Sequence, residues 1–523
     1  MKTLPIGTQS FETLRSSDFL YVDKTEHIHR LITDSRVVFL SRPRRFGKSL
    51  LISTLEELFK GNQPLFEGLY IYDKWDWTQQ YPVIRIDWTD IMHGAKEELE
   101  RSMSTFLRQK ANFHEVTLIS EYAADCFSEL IELLHRKTGK KVVVLIDEYD
   151  SPILETLGKP DMQEWLHVFY RRLKANDDHL KFVFLTGITK VAKVSIFSVL
   201  NSLNDITIDD NYASICGYTQ AELESNFTEY INTTAAHLSV TRENLLASIR
   251  NWYDGYTWDG KTPMYNPFST LMFFNKRTFS NYWFETGTPT FLIERLKKQN
   301  LSKTIMEPIV VVDSAVFRSY DPENIGDIPL LFQTGYLTIK AEGRKGIEPE
   351  YTLGVPNSEV KESLMKHLLN VYTQYPVEQL GTLAKEMLRQ ILEQDDEGLK
   401  NNLRVMLAGV PYTLHPKDEK AEDENEANYH IIFQVWMTLL GFNIQSEKLT
   451  NRGRMDAVLL QPCLAVVAEL KYHATTKINT LLDQAIAQIR EKRYYEQFLD
   501  RKIILLGIAF SGKEVGCRIV SGE

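Results

Sequence analysis

The sequence predicts an α/β fold in which a parallel sheet carries a phosphate-binding loop, and three observations carry that expectation. Short β-branched or aromatic runs at Val37–Leu40, Val83–Ile86, Val142–Ile146 and Phe182–Leu185 are spaced by stretches of helical periodicity such as Glu97–Lys110. Strands alternating with helices build a parallel sheet, because each crossover must pass over one of its faces. The first run leads into Arg42-Pro-Arg-Arg-Phe-Gly-Lys-Ser49 and then into helical spacing from Leu50 to Phe59. The third is the body of Lys141-Val-Val-Val-Leu-Ile-Asp-Glu-Tyr-Asp150, an apolar strand ending in adjacent carboxylates.

Those two segments have complementary chemistry. A loop of the pattern GxxxxGK[ST] cradles phosphates on backbone N–H groups, neutralises them with Lys and holds magnesium with Ser or Thr. Gly47, Lys48 and Ser49 fit it, whereas the first glycine position is Arg42, so the loop must start in a conformation that a side chain tolerates. Arg44, Arg45, Phe46 and Leu50 complete the stretch expected around the nucleotide. Asp147 would hold the magnesium through water, with the Ser49 hydroxyl on the same ion, and Glu148 would polarise the attacking water. The run Phe182–Leu185 ends in Thr186-Gly-Ile-Thr-Lys190, where Thr186 or Thr189 could sense the γ-phosphate, and where a plain turn fits equally.

A chain of 523 residues is expected to form two or three domains. Its 43% hydrophobic and 25% charged content is that of a globular protein. The net charge of -10 disfavours coating nucleic acid by bulk electrostatics and leaves room for a local basic groove. Cys126, Cys216, Cys463 and Cys517 form no CxxC pair, against both a zinc site and a disulfide framework. No apolar run approaches the ~20 residues that span a bilayer, and Met1–Ser10 lacks the apolar core of a signal peptide. A cytoplasmic protein with no membrane partner is the expectation.

Residues 1–228 are read as the nucleotide-binding domain and 229–415 as a mostly helical lid or connector, with a hairpin around Gly335–Ile339 and Tyr351–Leu353 and helices over Val360–Leu407. The charged run Pro416–Asn425 marks a boundary. Residues 424–523 form a further unit: a helix over Glu426–Leu440, strands at Phe442–Glu447, Arg454–Leu460 and Leu464–Tyr472, a helix over Leu481–Phe498 and a strand at Lys502–Phe510, an αβββαβ order. Asp456 opens one strand, and Glu469 and Lys471 lie two apart on the next, where they share a face. Two carboxylates so placed can bind Mg2+, and the lysine can orient or deprotonate water. His430 on its apolar helix reads as a packed histidine, and Tyr429 and Trp436 as core.

Tyr21-Val-Asp-Lys-Thr25, Arg42-Pro-Arg-Arg-Phe-Gly-Lys-Ser49, Asp147-Glu-Tyr-Asp150 and Thr186-Gly-Ile-Thr189 resemble the bacterial AAA-ATPase-like family over about Leu4–Thr228. The resemblance implies an AAA-type ATP-binding fold and accounts for Arg42, because the family carries this loop variant. Asp23 and Lys24 match a family motif for which a structural role beside the loop is expected. From about Glu424 to Phe510 the chain resembles the PD-(D/E)XK nuclease superfamily, with its restriction-endonuclease-like fold, Asp456, Glu469 and Lys471 falling on the D...ExK pattern. The same resemblance implies Glu426 as a further metal acid on the first helix and Gln488 and Tyr494 as a motif of the following one. Met455 stands where a proline is usual, which leaves the ligand Asp456 intact.

The function expected is a metal-dependent nuclease, with Mg2+ or Mn2+ at its site, acting on nucleic acid and on DNA by preference, under an ATPase on the same chain. The other reading is a nucleotide switch whose C-terminal domain binds nucleic acid without cutting it. An AAA-type site leaves room for a homo-oligomer, and a gated nuclease would suit antiviral defence.

Overall fold

The computed structural model describes residues 1–91, 94–152, 160–190, 202–283, 309–311, 317, 326–345, 348–373, 377–408, 448–450, 453–455, 457–461, 464–473, 475–511 and 514–522. The chain divides into two compact units, Met1–Gly287 with Pro308–Val360, and Thr288–Glu307 with Lys361–Glu523.

In the first unit, strands β1 (Val37–Ser41), β2 (Val83–Asp87), β3 (Val142–Asp147), β4 (Leu180–Gly187) and β5 (Leu203–Asp205) form a parallel sheet in the order β2-β3-β4-β1-β5. Every residue of β1 and β3 is buried, which is why these strands read as unbroken apolar runs. The short, polar β5 gave no such signal. Because all five strands are parallel and β4 lies between β3 and β1, the loops after β1, β3 and β4 leave the sheet on the same edge, where a ligand site is expected.

Helices Lys96–Phe113, Ala123–Thr138 and Pro160–Ala175 share one hydrophobic core with the sheet. Phe169 stacks on Phe127 at 4.8 Å and on Trp165 at 5.4 Å. A second core joins Leu20 and Val22 to helices Gln220–Asn226, Thr228–Leu238, Arg242–Tyr253 and Pro267–Lys276. The expected hairpin is β7 (Thr338–Lys345) against β8 (Glu348–Gly354), with β6 (Ile309–Val311) added on the far side of β8.

Helix Ser358–Thr373 begins in the first unit, and Val377–Glu393 and Asp396–Ala408 follow in the second. The boundary run Pro416–Asn425 and the first helix and strand expected after it lie outside the described residues. The described C-terminal strands are β9 (Lys448–Thr450) paired with β10 (Gly453–Met455), and β11 (Ala457–Gln461), β12 (Leu464–His473), β13 (Lys502–Ser511) and β14 (Glu514–Ser521) in that spatial order. The β12–β13 pair is parallel and its flanking pairs are antiparallel.

Three sequence expectations are corrected here. The strand expected over Arg454–Leu460 is two strands, one pairing with β9 and the other with β12. The helix expected to reach Phe498 runs Ile478–Lys492 and ends at Arg493 in a left-handed conformation (φ 48°), an ending that usually calls for glycine and that the sequence therefore did not signal. A 3-10 turn covers Tyr494–Phe498. The third is the αβββαβ order, which ended at Phe510: a further strand, β14, follows, and Ile478 packs where a side chain at its Gly516 would be.

Candidate active sites

The loop after β1 is shaped by its arginines. Arg42 is 1% exposed, and its guanidinium turns into the protein: Nη1 donates to the carbonyls of Ser41 (2.9 Å) and Thr207 (2.8 Å), Nη2 to that of Tyr212 (3.2 Å), and the group lies 3.9 Å over the Trp258 ring. Burial pushes the guanidinium down to about 10, which leaves it charged at neutral pH. Arg42 thus pins the base of the loop to distant segments, a role that a glycine cannot fill. Replacing it with Gly, which would restore the common loop pattern, is expected to destabilise the first unit by about 3–5 kcal/mol, because three buried carbonyls lose their charged donor. A lower melting temperature checks this; an unchanged melting curve with lost ATP binding would instead assign the guanidinium to phosphate.

Arg45 (φ 66°) and Gly47 (φ 94°) both take left-handed conformations, bending the loop back toward the helix Lys48–Lys60. Phe46 anchors the bend, fully buried edge-to-face against Tyr256 at 4.8 Å and Trp258 at 5.2 Å. The Arg44 carbonyl accepts from Trp283 Nε1 at 3.1 Å, and the Arg45 guanidinium lies 3.7 Å over Phe268. Lys48 Nζ donates to the carbonyls of Arg42 (3.0 Å) and Pro43 (3.3 Å) and stands 3.5 Å from Glu148 Oε1.

At the end of β3, Asp147 is fully buried. Its Oδ1 accepts from Thr186 Oγ1 (2.6 Å) and from the Glu148 backbone N–H (3.1 Å), while Oδ2 has no hydrogen-bond partner among the described residues. A buried carboxylate oxygen left in this state fits a metal-bound water. Glu148 takes a left-handed conformation (φ 50°), uncommon for a side-chain-bearing residue and frequent where function dictates backbone placement. Burial pushes its carboxyl above the usual range, opposed by Lys48. Asp150, raised likewise by burial, accepts from the Ile188 and Thr189 backbone N–H groups and from Thr189 Oγ1 at 2.7 Å. Both threonines read as candidate sensors are thus held on acids, Thr186 on Asp147 at the end of β3 and Thr189 on Asp150 in the turn after it.

Beside these groups lies a cavity of about 610 Å³, within the range that encloses a small ligand, but the fully buried Phe46, Asp147 and Thr186, expected around the nucleotide, are not among its lining residues. Arg44, Arg45, Gly47, Lys48, Ser49, Leu50 and Glu148 line it, as the sequence suggested. Other lining residues went unread: Pro5, Gly7, Thr8 and Gln9, Tyr218, and Pro267, Phe268 and Leu271 of the helix Pro267–Lys276, together with Thr89. None of them carries a charge, and they converge from segments far apart in sequence.

The fully buried Glu359 braces the helix Pro267–Lys276, which contributes three of these residues. Its Oε1 accepts from Ser269 Oγ (2.9 Å) and the Trp283 N–H (2.8 Å), and Trp283 in turn holds Arg44. Burial pushes the carboxyl up to about 7. Between the unfolded value near 4.5 and pH 7 the folded protein keeps a proton that the unfolded chain has lost, so stability falls as pH rises through this window, by up to about 3 kcal/mol. Glu359→Gln removes the titration. Its melting temperature is expected to match the unmodified protein near pH 5 and to exceed it at pH 8; parallel curves across that range would count against a buried, titrating Glu359.

Asp23 and Lys24 tie together segments outside the loop. Asp23 accepts from the Thr25 and Tyr70 N–H groups, both at 2.8 Å, and Lys24 Nζ donates to Glu222 at 2.6 Å and the Ser214 carbonyl at 2.9 Å.

In the second unit Glu469 is 1% exposed and accepts at Oε1 from Lys471 Nζ at 2.9 Å, so the two are brought together on one face of β12. The helix Ile478–Lys492 packs on that face: Gly507, register partner of Glu469, lies under Ala485 and Ile486. Gln488 is half-buried on the same helix. β11 pairs with β12 from Ala457↔Ala468 onward, next to Asp456 in sequence. Asp456 itself, Glu426, His430, Tyr429 and Trp436 lie outside the described residues, as does the Tyr494 side chain. Among the described residues no three His, Cys, Asp or Glu side chains are grouped to hold a metal, and Cys126, Cys216 and Cys517 are buried free thiols. No helix among them is long and apolar enough to cross a membrane.

The cavity beside the Gly47-Lys48-Ser49 loop and the Glu469–Lys471 pair thus lie in an AAA-ATPase-like domain and a nuclease-superfamily domain on one chain. Residues 5–197 match the family described as predicted AAA-ATPase, and residues 424–518 match the PD-(D/E)XK nuclease superfamily. The chain is 36% identical over 517 residues to a protein of Azotobacter chroococcum mcd 1 described as an uncharacterized protein in the vnfD 5' region, spanning 98% of this chain and 96% of that one. It belongs to the AAA-ATPase-like family and carries a PD-(D/E)XK domain. Among solved structures, Drosophila ORC bound to poly(dA/dT) DNA and Cdc6 is 10% identical with a TM-score of 0.25, over 80% of this chain and 61% of that chain. The Aeropyrum pernix ORC2 protein in its ADPNP and ADP complexes is 10% identical with a TM-score of 0.24, over 74% and 93%.

Proposed function

We propose that this chain hydrolyses ATP in the first unit and cleaves DNA at a divalent-metal site in the second, the ATPase controlling the nuclease. The observation that carries the proposal is the meeting of Lys48, Glu148, Asp147 and Thr186 at one edge of the sheet beside a cavity of nucleotide size. Lys48 would leave the Arg42 and Pro43 carbonyls for the β and γ phosphates, freeing Glu148 to orient a water in line with the γ phosphorus. Attack by that water breaks the bond to the β-phosphate oxygen and releases ADP and phosphate. Ser49 and Asp147 would hold Mg2+, which supplies charge stabilisation on the phosphates.

At the second site Asp456, Glu469 and Glu426 would hold Mg2+ or Mn2+, which activates water toward phosphorus. Lys471 would orient that water, and Gln488 would border the site. We assign residues 1–228, 229–415 and 424–523 to ATPase, connector and nuclease, and propose a cytoplasmic protein, able to form homo-oligomers, that acts in defence against foreign DNA. Plasmid incubated with the full chain and Mg2+ or Mn2+, with and without ATP, tests the reading: ATP-dependent cutting is expected. Binding without cutting under every condition would favour a nucleotide switch.

A further inference from the structure

His473 continues the row that Glu469 and Lys471 begin. Residues two apart on a strand share a face, and exposure rises along this one from the buried Glu469 through the half-buried Lys471 to the exposed His473 at the end of β12. The backbone fixes the tautomer of this histidine. Nδ1 accepts from the Thr475 and Thr476 N–H groups, both at 3.2 Å, so the ring proton sits on Nε2, the other ring nitrogen. An exposed N–H donor is thereby held at the rim of the candidate nuclease site. No motif covers it: D...ExK ends at Lys471.

We propose that His473 binds the nucleic-acid backbone, its Nε2–H donating to a non-bridging oxygen of a phosphate that flanks the one cut. Four residues of strand place its Cα roughly 13 Å from that of Glu469, too far for the scissile phosphate and suited to a neighbour on the same strand. Two backbone donors already hold the ring, so little rotamer freedom is lost on contact. Nδ1 is occupied by two N–H donors, so the ring offers Nε2–H as a donor and no free acceptor nitrogen to act as a base. The proposal rests on the nuclease reading above.

Two substitutions separate binding from turn-holding, because each keeps one ring nitrogen's position. Asn offers an oxygen near Nδ1 and can still accept from Thr475 and Thr476; Gln offers an N–H near Nε2 and cannot. Binding of a fluorescent duplex by the full chain is measured with Ca2+ replacing Mg2+, cleavage with Mg2+, and melting temperature alongside. His473→Asn is expected to lose about tenfold in DNA affinity, equivalent to about 1.4 kcal/mol, with a matching loss of cleavage and an unchanged melting temperature. His473→Gln is expected to stay within about threefold of the unmodified protein, as a retained donor should. Full binding by His473→Asn overturns the proposal, and full binding there with loss in His473→Gln would leave the ring only its turn-holding role; equal loss in both variants also overturns it, because a retained N–H donor near Nε2 would then make no difference. If the unmodified chain neither binds nor cuts DNA, the nuclease reading itself fails, a result visible before any variant is compared.

Discussion

Lys48→Ala is expected to lower ATP turnover by about 10²- to 10³-fold, the range for removing one group aimed at developing charge. In the free protein the Lys48 ammonium rests on two loop carbonyls and 3.5 Å from Glu148, so no large rearrangement is needed to meet a phosphate. Phosphate release at saturating ATP measures the effect, with the melting temperature recorded because the substitution also strips the Arg42 and Pro43 carbonyls of their donor. Glu148→Gln separates binding from chemistry. It keeps the shape of the side chain and loses the carboxylate that polarises water, so ATP is expected to bind while hydrolysis slows by about 10²-fold or more. Loss of ATP binding in Glu148→Gln would instead assign Glu148 a structural role, and normal turnover in Lys48→Ala would remove the assignment of the loop.

The charged half of the candidate cavity was legible because its residues follow strands buried on both faces, where an apolar run stops abruptly at Asp147 or gives way to the loop that holds Gly47-Lys48. The Arg42 side chain was not. Its partners Thr207 and Tyr212 are 165 and 170 positions away, and no local pattern says that an arginine beside a phosphate loop points inward. Phe268 and Tyr218 were equally silent, since an aromatic residue facing a cavity reads the same as one facing a core. Glu359 was hidden by its setting, an acid in the first turn of the helix Ser358–Thr373, where acids are ordinary. In the second unit the two-residue period of a strand was enough to pair Glu469 with Lys471, whereas the partners that fix His473 are backbone groups of a turn.

Glu469→Ala is expected to abolish metal-dependent cleavage, by at least about 10³-fold, while ATP turnover stays near that of the unmodified protein. The carboxylate is almost wholly buried with Lys471 against it, so Glu469→Ala removes both a ligand and the partner of that lysine. Glu469→Gln, which preserves volume, distinguishes a lost ligand from lost packing, and a Mn2+ titration reports the ligand directly. Lys471→Ala should keep Mn2+ binding and slow cleavage by about 10²- to 10⁴-fold, since it removes an orienting or proton-transferring group and no ligand. The relation between the two activities follows from running Lys48→Ala, Glu469→Ala and unmodified protein on one DNA substrate at matched metal and ATP. If ATP controls the nuclease, Lys48→Ala changes cutting although Lys48 never touches the broken phosphodiester. Unchanged cutting by Lys48→Ala would remove the control and spare the site, whereas full cutting by Glu469→Ala would remove the site and leave the ATPase standing, because its residues belong to a separate compact unit.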